Sequence, residues 1–158
     1  MKSSCIQSVE LTNWQLTLER WIEGTSPIET QKVPSHHSLY RPVFWTSLPG
    51  REYVSGIGTY ETTFRLNELT GQKYLFRIVG IVEDVFLLEI NGQQLPVNQI
   101  RIQADISRLL KTGENTIRLI VGSTLLNALL LNKRQHGQPD NRKLKENGIN
   151  GSVYIDIF

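Results

Sequence analysis

Residues 55–66 read SGIGTYETTFRL, and how this stretch is read decides the fold. Beyond Gly56 and Gly58, the side chains of Tyr60, Thr62, Phe64 and Leu66 fall on one side of an extended chain. Those of Thr59, Glu61, Thr63 and Arg65 fall on the other, because successive residues of a strand point to opposite faces. One face suits a core and the other suits water. Two glycines at the entrance allow a sharp turn and a close pass of another backbone before pairing begins.

The same period recurs outward along the chain. KYLFRIVGI (73–81) opposes Tyr74, Phe76 and Ile78 to Leu75, Arg77 and Val79, with Gly80 expected at a bulge or bend. VEDVFLLEINGQQL (82–95) places Phe86, Leu88 and Ile90 inward and reaches Asn91-Gly92, a pair suited to a two-residue hairpin turn. NQIRI (98–102) reads as a short edge strand. ADISRLLKTGEN (104–115) reads as a single helical turn, capped by Asp105 or Ser107 and stopped by Gly113. TIRLIV (116–121) and GSVYIDIF (151–158) alternate again, with Ile117, Leu119 and Val121, then Val153, Ile155 and Ile157, facing in. STLLNALLLNKR (123–134) fits either about two helical turns or a buried strand.

Toward the N-terminus, VELTNWQLTLERW (9–21) supports one or two strands, with Trp14 and Trp21 as core or edge packing. Residues 22–42 carry Gly24, Pro27, Pro34 and Pro42 and read as a long surface loop, unless they hide a short edge strand. Short strands separated by turn signals, without long helices between them, imply an all-β fold. The expected architecture is a single antiparallel β-sandwich over residues 1–158, with 1–43 as lead-in strands and loop and 44–158 as the core sandwich.

Composition narrows the function classes. The 17 basic and 15 acidic residues are dispersed, and a net charge of +2 calls for no nucleic acid. The crowded basic stretch, Lys133-Arg134 through Arg142, Lys143 and Lys145, is interspersed with Asp140, Glu146 and amide side chains. It reads as a solvated loop, with an acidic ligand as the alternative. Cys5 is the single cysteine, so neither an intrachain disulfide nor a cysteine-based metal site can form. No apolar run marks a signal peptide or approaches the ~18 residues of a membrane span, so a soluble chain is expected, of unspecified compartment. Met1 as the sole methionine suits a segment of a longer protein.

An ordered series of motifs carries a family resemblance. It comprises Ser55-Gly56-x-Gly58-x-Tyr60-x-x-x-Phe64, Gly80-x-Val82-Glu83-Asp84 leading to Ile90-Asn91-Gly92, Asp105-Ile106-Ser107, Gly113-Glu114-Asn115-Thr116, and Asn127. In this order and spacing they resemble the galactose-binding-like jelly-roll domains joined to large glycoside hydrolases. The likeness is greatest to the sugar-binding domain of family 2 enzymes and the C-terminal domain of α-L-rhamnosidase-like enzymes of family 106. The resemblance implies a non-catalytic accessory module that contacts carbohydrate or shapes the approach to a partner catalytic domain of its parent chain. Glu89, Gln99-Ile100 and Gly148-Ile149-Asn150-Gly151-Ser152-Val153 depart from the family pattern at rim and loop positions, so no binding residue is carried over by motif.

Candidate chemistry is therefore read from the residues. Glycoside hydrolysis needs two carboxylates about 5–9.5 Å apart across a cleft. Glu83 and Asp84 are adjacent and point oppositely on a strand, so Asp84 is expected to accept hydrogen bonds from a turn, and an independent enzyme ranks last. His36 and His37 lack a third ligand at metal-binding spacing. Jelly-roll domains often hold a structural calcium that leaves little trace in sequence, so calcium stays open and no other cofactor is called for. Sugars offer C–H faces to aromatic rings and hydroxyls to fixed polar groups, which singles out Trp45, Arg51 and Tyr53 in FWTSLPGREYVSG (44–56). In the competing reading Trp45 packs across the end of the sandwich and Arg51 is solvated. Asn127, Arg134 and Asn141 form a second polar group. A purely structural docking domain remains the other function class, favoured by outward Leu75, Val79 and Leu87.

Overall fold

A computed structural model describes residues 4–24, 29–138 and 140–158. Among these residues the strands are β1 (Gln7–Leu11), β2 (Trp14–Glu23), β3 (Thr30–Leu39), β4 (Gly56–Leu66) and β5 (Tyr74–Val82). They continue as β6 (Phe86–Ile90), β7 (Gln93–Leu95), β8 (Gln103–Asp105), β9 (Gly113–Gly122) and β10 (Ile149–Ile157). One α-helix, α1 (Leu126–Gln135), and two 3-10 turns, Trp45–Ser47 and Ser107–Leu109, complete the described elements. The strands form a six-stranded sheet ordered β3-β2-β4-β9-β6-β7 and a four-stranded sheet ordered β1-β10-β5-β8, with every pairing antiparallel. The fold is an all-β antiparallel sandwich.

The inward residues of both sheets meet in one core. Leu16, Leu18, Tyr60, Ile117, Leu119, Phe86, Leu88 and Ile90 from the larger sheet pack with Tyr74, Phe76, Ile78, Val153 and Ile155 from the smaller, and all are buried. The alternation expected from sequence holds on β4, β5, β6, β9 and β10. Trp14 is fully buried in this core, and its indole N–H donates to the Leu11 carbonyl at 2.9 Å.

The glycines of the opening stretch have two separate reasons. A Cβ on Gly56 would lie 1.9 Å from the Glu19 carbonyl oxygen, so only glycine lets β4 begin this close to β2. A Cβ on Gly58 would lie 2.6 Å from the Trp45 ring, so here the missing side chain makes room for an indole.

The hairpin at Asn91-Gly92 forms as expected, with φ of 50° and 80° at the two residues. Asn91 does more than turn. Its Nδ2 donates to the Leu109 carbonyl at 2.8 Å and to Asn115 Oδ1 at 2.9 Å, and its Oδ1 accepts from the Thr116 N–H at 2.9 Å. Two of the resemblance motifs thus meet in space across β6 and β9. The Asp105-Ile106-Ser107 motif closes likewise: Asp105 accepts from the Ser107 N–H, and the Ser107 hydroxyl accepts from the Tyr74 N–H at 2.8 Å.

Three local expectations change and one left open is settled. Residues 22–42 are not mainly a loop, because β3 occupies ten of them and pairs with β2 from Trp14↔Leu39 to Glu23↔Thr30. As an edge strand β3 tolerates Pro34, whose missing donor can be turned away from the ladder. NQIRI is a bend, since the Asn98 side chain accepts from the N–H groups of Ile100 and Arg101 and pulls the chain out of pairing; the strand comes later, as β8. Gly80 makes no bulge. It stays in register opposite Gly151, where a Cβ would meet the Asn150 carbonyl oxygen at 2.2 Å. The segment left open between helix and strand at 123–134 contains α1. No helix among the described residues is long and apolar enough to cross a membrane.

Candidate functional site

Three segments converge at the end of the sandwich where β4 begins and β9 ends: residues 44–55, helix α1, and residues 140–148 leading into β10. Asn127, in the first turn of α1 and fully buried, joins them. Its Nδ2 donates to the Glu52 carbonyl at 3.2 Å and to the Lys145 carbonyl at 2.7 Å, while its Oδ1 accepts from the Lys145 N–H at 2.8 Å. Asp84, in the bend between β5 and β6, anchors the same loop, accepting from the Gly148 N–H at 2.9 Å and pairing with the Lys145 ammonium. The turn-accepting role expected for Asp84 is what the fold uses, while Glu83 next to it is exposed.

These segments border a half-open recess of about 430 Å³. Leu130 and Leu144 supply its apolar wall, and Tyr53, Arg134, Gln138, Asp140 and Arg142 its polar one. The Arg134 guanidinium donates to the Tyr53 hydroxyl and lies over the Tyr53 ring, 5.8 Å from its centroid. Among the described residues no carboxylate lies within ion-pair distance of Arg134. Asp140, the single carboxylate lining the recess, is gripped by Arg142 through Nε and Nη2 at 2.7–3.2 Å and by Lys133 Nζ at 3.1 Å. Arg142 first, with Lys133 behind it, holds the Asp140 carboxyl well below the usual carboxylate range.

The sequence candidates separate accordingly. Trp45 is fully buried, with its indole N–H donating to the Val54 carbonyl at 2.9 Å, so its ring packs the end of the sandwich and offers no face to a ligand. Asn127 is likewise internal scaffold, every polar atom of its side chain engaged by backbone. Arg51 is half-buried, donates to the Gly50 carbonyl at 3.3 Å and does not line the recess. Asn141 is exposed and outside the lining. Tyr53 and Arg134, assigned from sequence to different groups, come together. Leu130, Gln138, Asp140, Arg142 and Leu144 were not singled out as binding residues; the one available signal was the basic stretch 133–145, with its embedded Asp140. His36 and His37 lie on β3 beside Thr17 and Ser35 respectively, and among the described residues no three His, Cys, Asp or Glu side chains gather at metal-binding distance.

No protein-family model and no curated protein sequence matches the chain. Solved structures do. A rhamnosidase from Novosphingobium sp. PP1Y superposes with a TM-score of 0.66 at 22% identity over 97% of this chain and 15% of that one. A GH2 β-galacturonidase from Eisenbergiella tayi, bound to galacturonate, gives 0.58 at 13% identity, covering 96% of this chain and 24% of that one. A β-glucuronidase from an uncultured Clostridium sp. gives 0.59 at 13% identity, covering 99% and 30%. This chain therefore spans less than a third of each of these proteins, and what it shares with them at such identities is the fold: a β-sandwich of the kind built into glycoside hydrolase chains.

Proposed function

We propose that this chain is a non-catalytic accessory β-sandwich of a larger glycoside hydrolase, of the galactose-binding-like type, and that it contacts carbohydrate through the recess between Tyr53 and Arg134. One observation carries the reading: a tyrosine ring and an arginine that has no carboxylate partner among the described residues stand together in one half-open recess. Such a pair can take the C–H face of a sugar on the ring and its hydroxyls on the guanidinium and Gln138. The single carboxylate of the recess, already held by two cations, is a poor start for hydrolysis, which requires a facing pair. Positioning of substrate near a partner catalytic domain is the corresponding mechanism. Calorimetric titration of the purified chain against a glycan panel tests it. Tyr53→Ala is expected to weaken saccharide binding while Arg51→Ala leaves it unchanged. Full affinity in Tyr53→Ala overturns the assignment.

A second reading, docking on another domain without sugar binding, is favoured by Val79 and Ile81, which are 53% and 54% exposed on the outer face of β5. Leu87 is also exposed but lies on the other sheet, and Leu75 is half-buried, so the outward apolar residues do not all share one face. Absence of binding to any glycan of the panel favours this reading.

A further inference from the structure

We infer that the recess selects acidic saccharides, with a sugar carboxylate received by Arg134 and Arg142 while the sugar ring lies against Tyr53; this rests on the carbohydrate reading above. Arg134 spends Nη1 on the Tyr53 hydroxyl, a neutral partner, which leaves its Nε and Nη2 donors without a protein acceptor among the described residues. Arg142 spends Nε and Nη2 on Asp140, which leaves its Nη1 in the same condition. Two guanidinium groups with spare donors thus line one recess.

The local field agrees with the donor count. Arg134, Arg142 and Lys133 stand against a single carboxylate, and Asp140 is the centre of an ion-paired cluster rather than an open acceptor. A neutral sugar would use hydroxyls on these donors. A carboxylate would use them better, because charge-assisted bonds to a guanidinium fork are shorter and roughly twice as strong as neutral ones. Leu130, which is buried, and Leu144 form the apolar wall beside these donors, while both guanidinium groups stay exposed to solvent, so the contact is open to screening by salt. Arg134 Nε and Nη2 and Arg142 Nη1 are the donors this recess offers to the two oxygens of a carboxylate, with Tyr53 in the same lining.

The probes are methyl β-D-glucuronide, its neutral counterpart methyl β-D-glucoside, and sodium acetate, each titrated into the purified chain by calorimetry or NMR. The glucuronide is expected to bind about tenfold tighter than the glucoside, and to lose that margin when salt is raised from about 50 to about 500 mM. Arg134→Gln should remove the margin, and Arg134→Lys should retain part of it, since charge survives while the fork is lost. Tyr53→Ala should weaken both sugars. Melting curves matching the parent chain's establish that the variants are folded. Equal affinity for glucuronide and glucoside overturns the acidic selection and leaves the carbohydrate reading standing. Acetate binding as tightly as the glucuronide, indifferent to Tyr53→Ala, overturns the inference in favour of a plain anion site. No binding of either sugar overturns both readings.

Discussion

Asn127 imitates a strand partner for Lys145: its side-chain amide donates to the Lys145 carbonyl at 2.7 Å and accepts from the Lys145 N–H at 2.8 Å. With its third bond to the Glu52 carbonyl, one buried side chain ties together the segments bearing Tyr53, Arg134 and Arg142. The recess therefore depends on a residue that does not line it. Asn127→Ala would leave the Glu52 and Lys145 backbone groups short of partners. A loss of about 3 kcal/mol in urea unfolding is expected, since buried groups left unsatisfied cost about 1–3 kcal/mol each. Saccharide binding should fall with it, whereas Arg51→Ala should move neither quantity.

Gly58 is set by the volume of Trp45. In Gly58→Ala the new methyl would sit 2.6–2.8 Å from the indole, and overpacking of this kind costs about 1–3 kcal/mol. Combining it with Trp45→Phe should recover part of that cost, so a double-mutant cycle in chemical denaturation is expected to give a favourable coupling. Additive costs would mean that the contact does not decide the residue.

Asp84 is a buried anion, its side chain 2% exposed, with the Lys145 ammonium and the Gly148 N–H as partners. Asp84→Ala strands the ammonium and the amide together and should cost about 3–5 kcal/mol, the range for breaking a buried pair from one side. Asp84→Asn keeps an acceptor for Gly148 and should cost less. The order of the two thermal midpoints checks this.

Stability should also carry an acid limb from Asp156. Arg77 grips both of its oxygens at 2.8 and 3.1 Å, and the Ser8 hydroxyl donates to it, so the folded carboxyl titrates below its ordinary value, with Arg77 the largest cause. A depressed folded pKa gives stability that is present above the unfolded value of about 3.9 and lost as pH falls through the folded one. The stability advantage of the parent chain over Asp156→Asn should therefore be constant above about pH 5 and shrink toward about pH 2, read from urea midpoints across that range. A difference independent of pH would remove this carboxylate from the acid response.

The sandwich was legible locally because burial on one face leaves a two-residue period in the chain. Tyr60 to Leu66, Tyr74 to Ile78, Phe86 to Ile90, Ile117 to Val121 and Val153 to Ile157 each record which side of a strand meets the core, and Asn91-Gly92 records a turn that few other pairs can make. β3 left no such record. It lies at a sheet edge with most of its side chains exposed, and the partial burial of Ser35, His37 and Leu39 falls mostly on polar residues, so no hydrophobic alternation marks it and its identity as a strand rests on its pairing with β2. The bend at 98–102 was hidden for a related reason: Asn98 captures two backbone donors that an edge strand would otherwise have held.

By itself, the order of residues determined the two-layer β fold, since hydrophobic periodicity and turn chemistry act over a few neighbours. The site was decided only in three dimensions. Tyr53, Arg134 and Arg142 meet because Asn127 and Asp84 hold distant loops against one another, and whether an aromatic ring such as Trp45 or Tyr53 faces water or core depends on what the rest of the chain places over it.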